Sequence, residues 1–233
     1  MEFSWLGNYI GLLLQGALTT IELLVISTTA GFILAICIAL VLVRGGTLTR
    51  TIAKSYCIFF RGTPLLVQLW ILYYGFGSFL PGIPWIRASV FWPILRDGYF
   101  FAALGLTLNW AAYEAEVVRG ALLAVPRGEL EAARAYGMSE FKLLLRIWLP
   151  RALRIALPTI VGEVVLQLKS TPLVFTITVM DLYGVAYRIR QDTFLVYEPL
   201  IVATVFYVSV TFVITRGFAL LERRLSFARP PSK

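Results

Sequence analysis

The side chains with chemistry to offer are few, and they stand inside otherwise apolar runs. In EVVLQLKSTPLVFTIT, Glu163 is followed by Gln167 at i+4 and Ser170 at i+7, so the three share one face of a helix. A carboxylate, an amide and a hydroxyl in a row can hold a cationic group. Placing them in lipid is costly: an ionised side chain at the centre of a spanning helix is unfavourable by roughly 2.5–3.5 kcal/mol on insertion scales. Glu163 therefore needs either a wet cavity with a cationic ligand, or a buried partner such as Lys169 or a residue of another subunit. Positions 163 and 169 are poorly spaced to pair along one helix. Asn109 either reaches the same ligand or bridges two helices. Glu116 and Arg119, three apart, suit an ion pair. Glu114 points to a different face from Glu116 and joins Glu163, Gln167, Ser170 and Asn109 as a candidate binding residue. Thr171-Pro172 breaks the helix after the polar stripe and frees backbone groups that can line a cavity. Arg61, just before Pro64, either meets phosphate headgroups or holds a helix break together, and Glu22 serves a helix-to-helix contact in an assembled complex.

Composition removes much other chemistry. There is no histidine, so no imidazole base and no zinc site that needs imidazole. Cys37 and Cys57 sit in or beside apolar runs and read as small hydrophobes, not a disulfide. No phosphate-binding G-x-x-x-x-G-K-[ST] loop occurs in the chain. Glu114 and Glu116 come with no nucleophile and base, so neither a catalytic residue nor a metal site is expected. The basic pI near 9.7 does not point to nucleic acid, because the basic residues lie between apolar runs, where they set orientation and meet anionic lipid.

The elements that must carry these residues are membrane helices. The chain has 233 residues, only 15% of them charged, against about a quarter in soluble domains, and its mean hydropathy is +0.80. Five segments approach the roughly 20 apolar residues of a span: Gly11 to Val43, Tyr56 to Leu80, Tyr99 to Val118, Ile155 to Met180 and Pro199 to Thr215. The first is longer than a straight span needs and must tilt, protrude or begin as an interfacial helix. It is not a secretory signal, having no Lys or Arg before Arg44 and too long an apolar run, so it is expected to stay in the mature protein. Lys and Arg concentrate in the loop with Arg44, Arg50 and Lys54, in the loop from Arg119 to Arg154, and in the tail with Arg216, Arg223, Arg224, Arg229 and Lys233. By the positive-inside rule these lie in the cytoplasm, the N-terminus lies outside and the C-terminus inside, which an odd number of spans requires. No repeat or linker divides the chain, so residues 1–233 read as one membrane domain with a cytoplasmic loop at about 119–154.

Within that loop the stretch ELEAARAYG breaks the apolar pattern. Pro126 can open a helix, Glu129 and Glu131 suit its first turn, Arg134 its last, and Gly137 the left-handed residue that ends it. Ser139 can cap a second, amphipathic helix carrying Phe141, Leu144, Leu145 and Trp148 with Lys142 and Arg146, suited to the cytoplasmic membrane face. Ala132, Ala133 and Ala135 would let a partner's backbone approach closely. On physical grounds alone this is either a docking knob or a solvated connector.

The spacing Glu131-Ala132-Ala133, then Gly137, then Ile147 and Leu149-Pro150 resembles the EAA motif of ABC importer permease subunits. FRGTPLLVQ (from Phe60), LTLNWAAYEAEVVRGAL (from Leu106) and EVVLQLKSTPLVFTIT (from Glu163) resemble the polar amino-acid branch of that family, the permeases for histidine/lysine-arginine-ornithine, arginine and opines. The resemblance implies an all-α fold with five transmembrane helices of the type I (MetI-like) importer kind, in the bacterial inner membrane. It implies that Glu131, Ala132, Ala133, Arg134 and Gly137 form a coupling helix seated on a separate ATP-binding subunit. Partners would be a dimer of those subunits, a second permease and a periplasmic binding protein. ATP and Mg would sit on the ATPase, with no cofactor in this chain. The cargo would be a polar, chiefly basic, L-amino acid or an arginine-derived opine. The alternatives are neutral, amide or acidic amino acids in the same family, a gradient-driven secondary transporter, or an anchoring subunit. A secondary transporter commonly shows internal repeats, and none is evident here.

Overall fold

The structure is a computed structural model describing residues 5–225, with side chains described to residue 220. The tail charges used for orientation, Arg229 and Lys233 entirely and Arg223 and Arg224 in their side chains, lie outside the described residues. In lipid each backbone group must be paired within its own segment, and the described residues contain helices and no strand. The main ones are α1 (Leu6–Arg44), α2 (Thr47–Gly62), α3 (Leu65–Gly82), α4 (Gly98–Ala124), α5 (Arg127–Ala135), α6 (Glu140–Ile177), α7 (Leu182–Thr193) and α8 (Glu198–Leu225).

Four segments are long and apolar enough to cross a membrane: α1, α3, α6 and Glu198–Leu220 of α8. The remaining expected span, α4, is long enough at 27 residues but more polar. Its setting gives the reason: α1, α2, α3 and α6 all pack on it, so protein rather than lipid surrounds much of its surface. Large apolar side chains such as Leu18, Ile33, Phe79 and Phe212 face outward instead, as a lipid-immersed surface requires.

One alternative left open is decided, and two expectations change. The first apolar segment has no interfacial break: α1 is one helix of 39 residues, about 58 Å at 1.5 Å per residue, and so exceeds the roughly 30 Å hydrocarbon core. The expected span from Tyr56 to Leu80 is two helices, because Pro64 brings no N–H and holds Thr63 extended at φ −114°, ψ 146°. The amphipathic stretch after Ser139 is not a separate surface helix. It forms the first turns of α6, which runs unbroken for 38 residues. Ser139 takes the N-cap position but its hydroxyl makes no capping bond. A short π segment, Leu144–Trp148, leads into Pro150, where the missing N–H disturbs the regular ladder.

The closest helix pairing, α1 on α4, follows from side-chain size. Ser27, Gly31, Ala35 and Ala39 recur every fourth residue and are buried, a small-residue stripe of the kind that lets membrane helices approach. A Cβ on Gly31 would come within 2.8 Å of the Trp110 ring and 3.2 Å of the Thr107 carbonyl, so no larger residue fits.

Candidate functional site

The break between α2 and α3 leaves carbonyls without helical partners, and two amides satisfy them. Gln68 donates from Nε2 to the Phe60 carbonyl (2.9 Å) and to the Thr63 carbonyl and hydroxyl (3.0 and 2.8 Å). Asn109 on α4 donates to Gln68 Oε1 (3.0 Å) and to the same Phe60 carbonyl (3.1 Å). The break is thus held by Gln68 and Asn109, not by the Arg61 guanidinium. That group lies over the Tyr113 ring, 5.5 Å from its centroid.

Between this break and α6 lies a cavity of about 550 Å³. Asn109, Glu163, Gln167 and Ser170 all line it, as do Arg61 and Lys169. The polar stripe of α6 does meet a cavity, though its members differ in freedom. Gln167 is buried and donates to Ser27 Oγ (2.9 Å) and the Leu106 carbonyl (3.2 Å), tying α6 to α1 and α4. The Ser170 hydroxyl donates back to the Leu166 carbonyl at 2.9 Å. Glu163 is half-buried and its carboxylate makes no ion pair among the described residues, Lys169 included. The helix is tightened rather than broken at Thr171-Pro172, continuing as a 3-10 turn over Thr171–Ile177. Glu114 does not line the cavity. It is fully buried and neither carboxylate oxygen has a hydrogen-bond partner. Glu116 pairs with Arg119 at 2.7 Å as its spacing suggested. Glu22 is reached by the Tyr99 hydroxyl of α4 at 3.5 Å. Arg61 and Lys169 were not among the candidates; the signal for Arg61 was its place beside a break that aims it inward.

On the opposite flank, α5 is fastened on one face and open on the other. Leu130 and Ala133 are buried against Val118, Leu122, Leu143 and Trp148. Glu129 takes both N–H groups of Arg151 at 2.9 Å. Glu140 accepts from Arg134 at 2.6 Å and from Arg44 at 2.5 Å. Arg44 also lies 4.5 Å from the centroid of the Trp148 ring, and that indole donates to the Leu122 carbonyl at 2.8 Å. Of the five residues assigned to partner contact, Glu131, Ala132 and Gly137 are open to solvent with free faces, Arg134 is exposed but engaged by Glu140, and Ala133 is packed inward. Tyr136, 92% exposed, stands on the open side and was not singled out. Gly137 has φ 78° and closes a Schellman motif: Met138 N–H donates to the Ala133 carbonyl (3.1 Å) and Gly137 N–H to that of Arg134 (2.9 Å).

Residues 27–227 match the family of binding-protein-dependent transport system inner membrane components. The chain is 43% identical over 210 residues to the octopine transport system permease protein of Rhizobium radiobacter, covering 90% of this chain and 84% of that one. It is 40% identical over 211 residues to the histidine/lysine/arginine/ornithine transport system permease protein of Salmonella typhimurium, covering 90% and 88%. Among solved structures, an amino acid ABC transporter with histidines superposes with TM-score 0.81 at 29% identity over 96% of this chain and 99% of that one. The inward-facing methionine transporter MetNI shares the fold, with TM-score 0.76 at 18% identity over 98% and 100%.

Proposed function

This chain belongs to the family of binding-protein-dependent transport system inner membrane components, and from that membership we propose its cargo and its working arrangement. It is a multi-pass permease subunit of an ABC importer for amino acids or opines, a transport component rather than an enzyme. Its cargo is a basic L-amino acid or an arginine-derived opine. The observation that carries this is the shared cavity of Glu163 and Arg61. A basic amino acid brings a carboxylate at one end and an ammonium or guanidinium at the other. Arg61 suits the first and Glu163 the second, since charge-assisted hydrogen bonds are about twice as strong as neutral ones. Relatives named for octopine and for histidine, lysine, arginine and ornithine agree with that charge pattern.

In the working assembly two permeases, this chain with a copy or a relative, stand on a dimer of ATP-binding subunits, and a periplasmic binding protein delivers the cargo. ATP and Mg belong to the ATPase. The open face of α5, with Glu131, Ala132, Gly137 and Tyr136, seats on it, while Ala133 and Arg134 support that face from behind. Closure of the ATPase dimer moves α5, and with it α1, α4 and α6, turning the cavity from outward to inward access. Residues 1–233 act as one domain in the inner membrane, N-terminus outside and C-terminus in the cytoplasm.

The test is a labelled uptake panel on the reconstituted complex, with and without ATP. Glu163→Gln should lower uptake of arginine or octopine at least tenfold while changing glutamine uptake little. An equal effect on cationic and neutral cargo would remove Glu163 from the site, and a gain for glutamate alone would favour an acidic cargo held by Arg61 and Lys169.

A further inference from the structure

On the face of α6 away from the charged cavity lies a second cleft of about 570 Å³, between α1, α6 and α8. Its walls are Phe32 and Ile33 of α1, Leu157, Ile160 and Val164 of α6, and Phe218 of α8. Thr28 also reaches it, but that hydroxyl is used by the Leu24 carbonyl at 2.6 Å. The one charged group in the lining is Arg154. Its helical neighbour Arg151 is committed to Glu129, whereas Arg154 makes no ion pair or hydrogen bond among the described residues. It is exposed.

We propose that this cleft is a phospholipid site that selects an anionic headgroup at Arg154 and lodges one acyl chain along α1, α6 and α8. The polarity of the cleft carries the assignment. One cation stands about a turn from the Pro150 end of the cleft, and most of the remaining lining is apolar, the same order as headgroup and tail. The dimensions agree. From Arg154 to Val164 is ten residues of α6, about 15 Å at 1.5 Å per residue, or the depth of one leaflet of a roughly 30 Å core. A long arginine side chain can keep its guanidinium at the interface while its stem stays among apolar groups. A helix of another subunit docked here would have to offer a carboxylate at that end; a lipid phosphate offers the charge at the depth where headgroups already lie. The choice of leaflet rests on the topology proposed above.

The experiment reconstitutes the complete transporter in vesicles doped with phosphatidylglycerol or phosphatidylcholine carrying a photoreactive group in the acyl chain. Labelled peptides are then located by mass spectrometry. Phosphatidylglycerol should label the peptides of Leu157 and Phe218 several-fold more than phosphatidylcholine. Arg154→Gln should abolish that excess and Arg154→Lys should keep most of it. Ile33→Trp, which fills the cleft, should reduce labelling by both lipids, with copurification of the ATPase as the check on folding. Equal labelling by both lipids in the unaltered complex overturns the site, as does an excess that survives Arg154→Gln. So does a cross-link from this face to a neighbouring polypeptide. Labelling only from a probe confined to the outer leaflet would overturn the topology and uphold the lipid contact.

Discussion

Replacing Gly137 with valine isolates how far the end of α5 matters. The residue sits at φ 78°, and a Cβ built there meets nothing within 4 Å. Steric crowding within this chain is therefore absent, and the cost is the backbone's. A non-glycine residue in the left-handed region is unfavourable by roughly 1–2 kcal/mol, most for a β-branched side chain and least for asparagine. Relieving that strain means giving up the bonds from Met138 to Ala133 and from Gly137 to Arg134. If an ordered α5 is what the ATPase grips, about 1–2 kcal/mol corresponds to roughly a 5–30-fold weaker grip. The assay is affinity of the purified permease for its ATPase subunit, with ATP-driven uptake in parallel. The expected order is Gly137 best, then Gly137→Asn, Gly137→Ala and Gly137→Val. Full uptake by the valine variant would refute the reasoning. Asparagine as harmful as valine would show that the partner's surface, not the backbone, demands glycine.

Two further outcomes follow from polar contacts. Asn109→Leu leaves the Gln68 Oε1 and part of the Phe60 carbonyl's demand unmet, which costs about 1–3 kcal/mol for a buried group; thermal unfolding in detergent should show a lower midpoint, and an unchanged midpoint would mean that water replaces the amide. Glu140 accepts from both Arg134 and Arg44, and so ties the end of α5 and the end of α1 to the start of α6. Amide exchange across residues 134–140 should therefore be faster in Glu140→Gln than in the unaltered protein at neutral pH; no difference between the two proteins would dismiss the pairing.

The sequence made the helical class legible because long runs with few charges have one stable solution in lipid. It made α5 legible too, since Pro126, Glu129 and Gly137 are local signals whose chemistry does not depend on tertiary contacts. The i, i+4, i+7 spacing put Glu163, Gln167 and Ser170 beside one cavity for the same reason. What stayed hidden depended on neighbours distant in the chain. The seam of Ser27, Gly31, Ala35 and Ala39 acquires meaning only once α4 is laid against it. Gln68 looked like any polar residue until the carbonyls of Phe60 and Thr63 came within reach. Ala133 and Ala132 are alike as letters, yet one faces Leu122 and the other solvent. Glu114 has no local signal at all for its complete burial.

Helix α6 begins at Glu140, whose carboxylate holds Arg134 of α5, and carries Glu163 and Ser170 at the cavity farther along the same rod. On the function proposed above, cargo and motor would grip two stations of a single shaft. Linkage then works in both directions: whatever factor the cargo's presence multiplies the motor's affinity by, the motor must return to the cargo. An empty cavity would thus be a message that reaches the cytoplasm without any separate sensor.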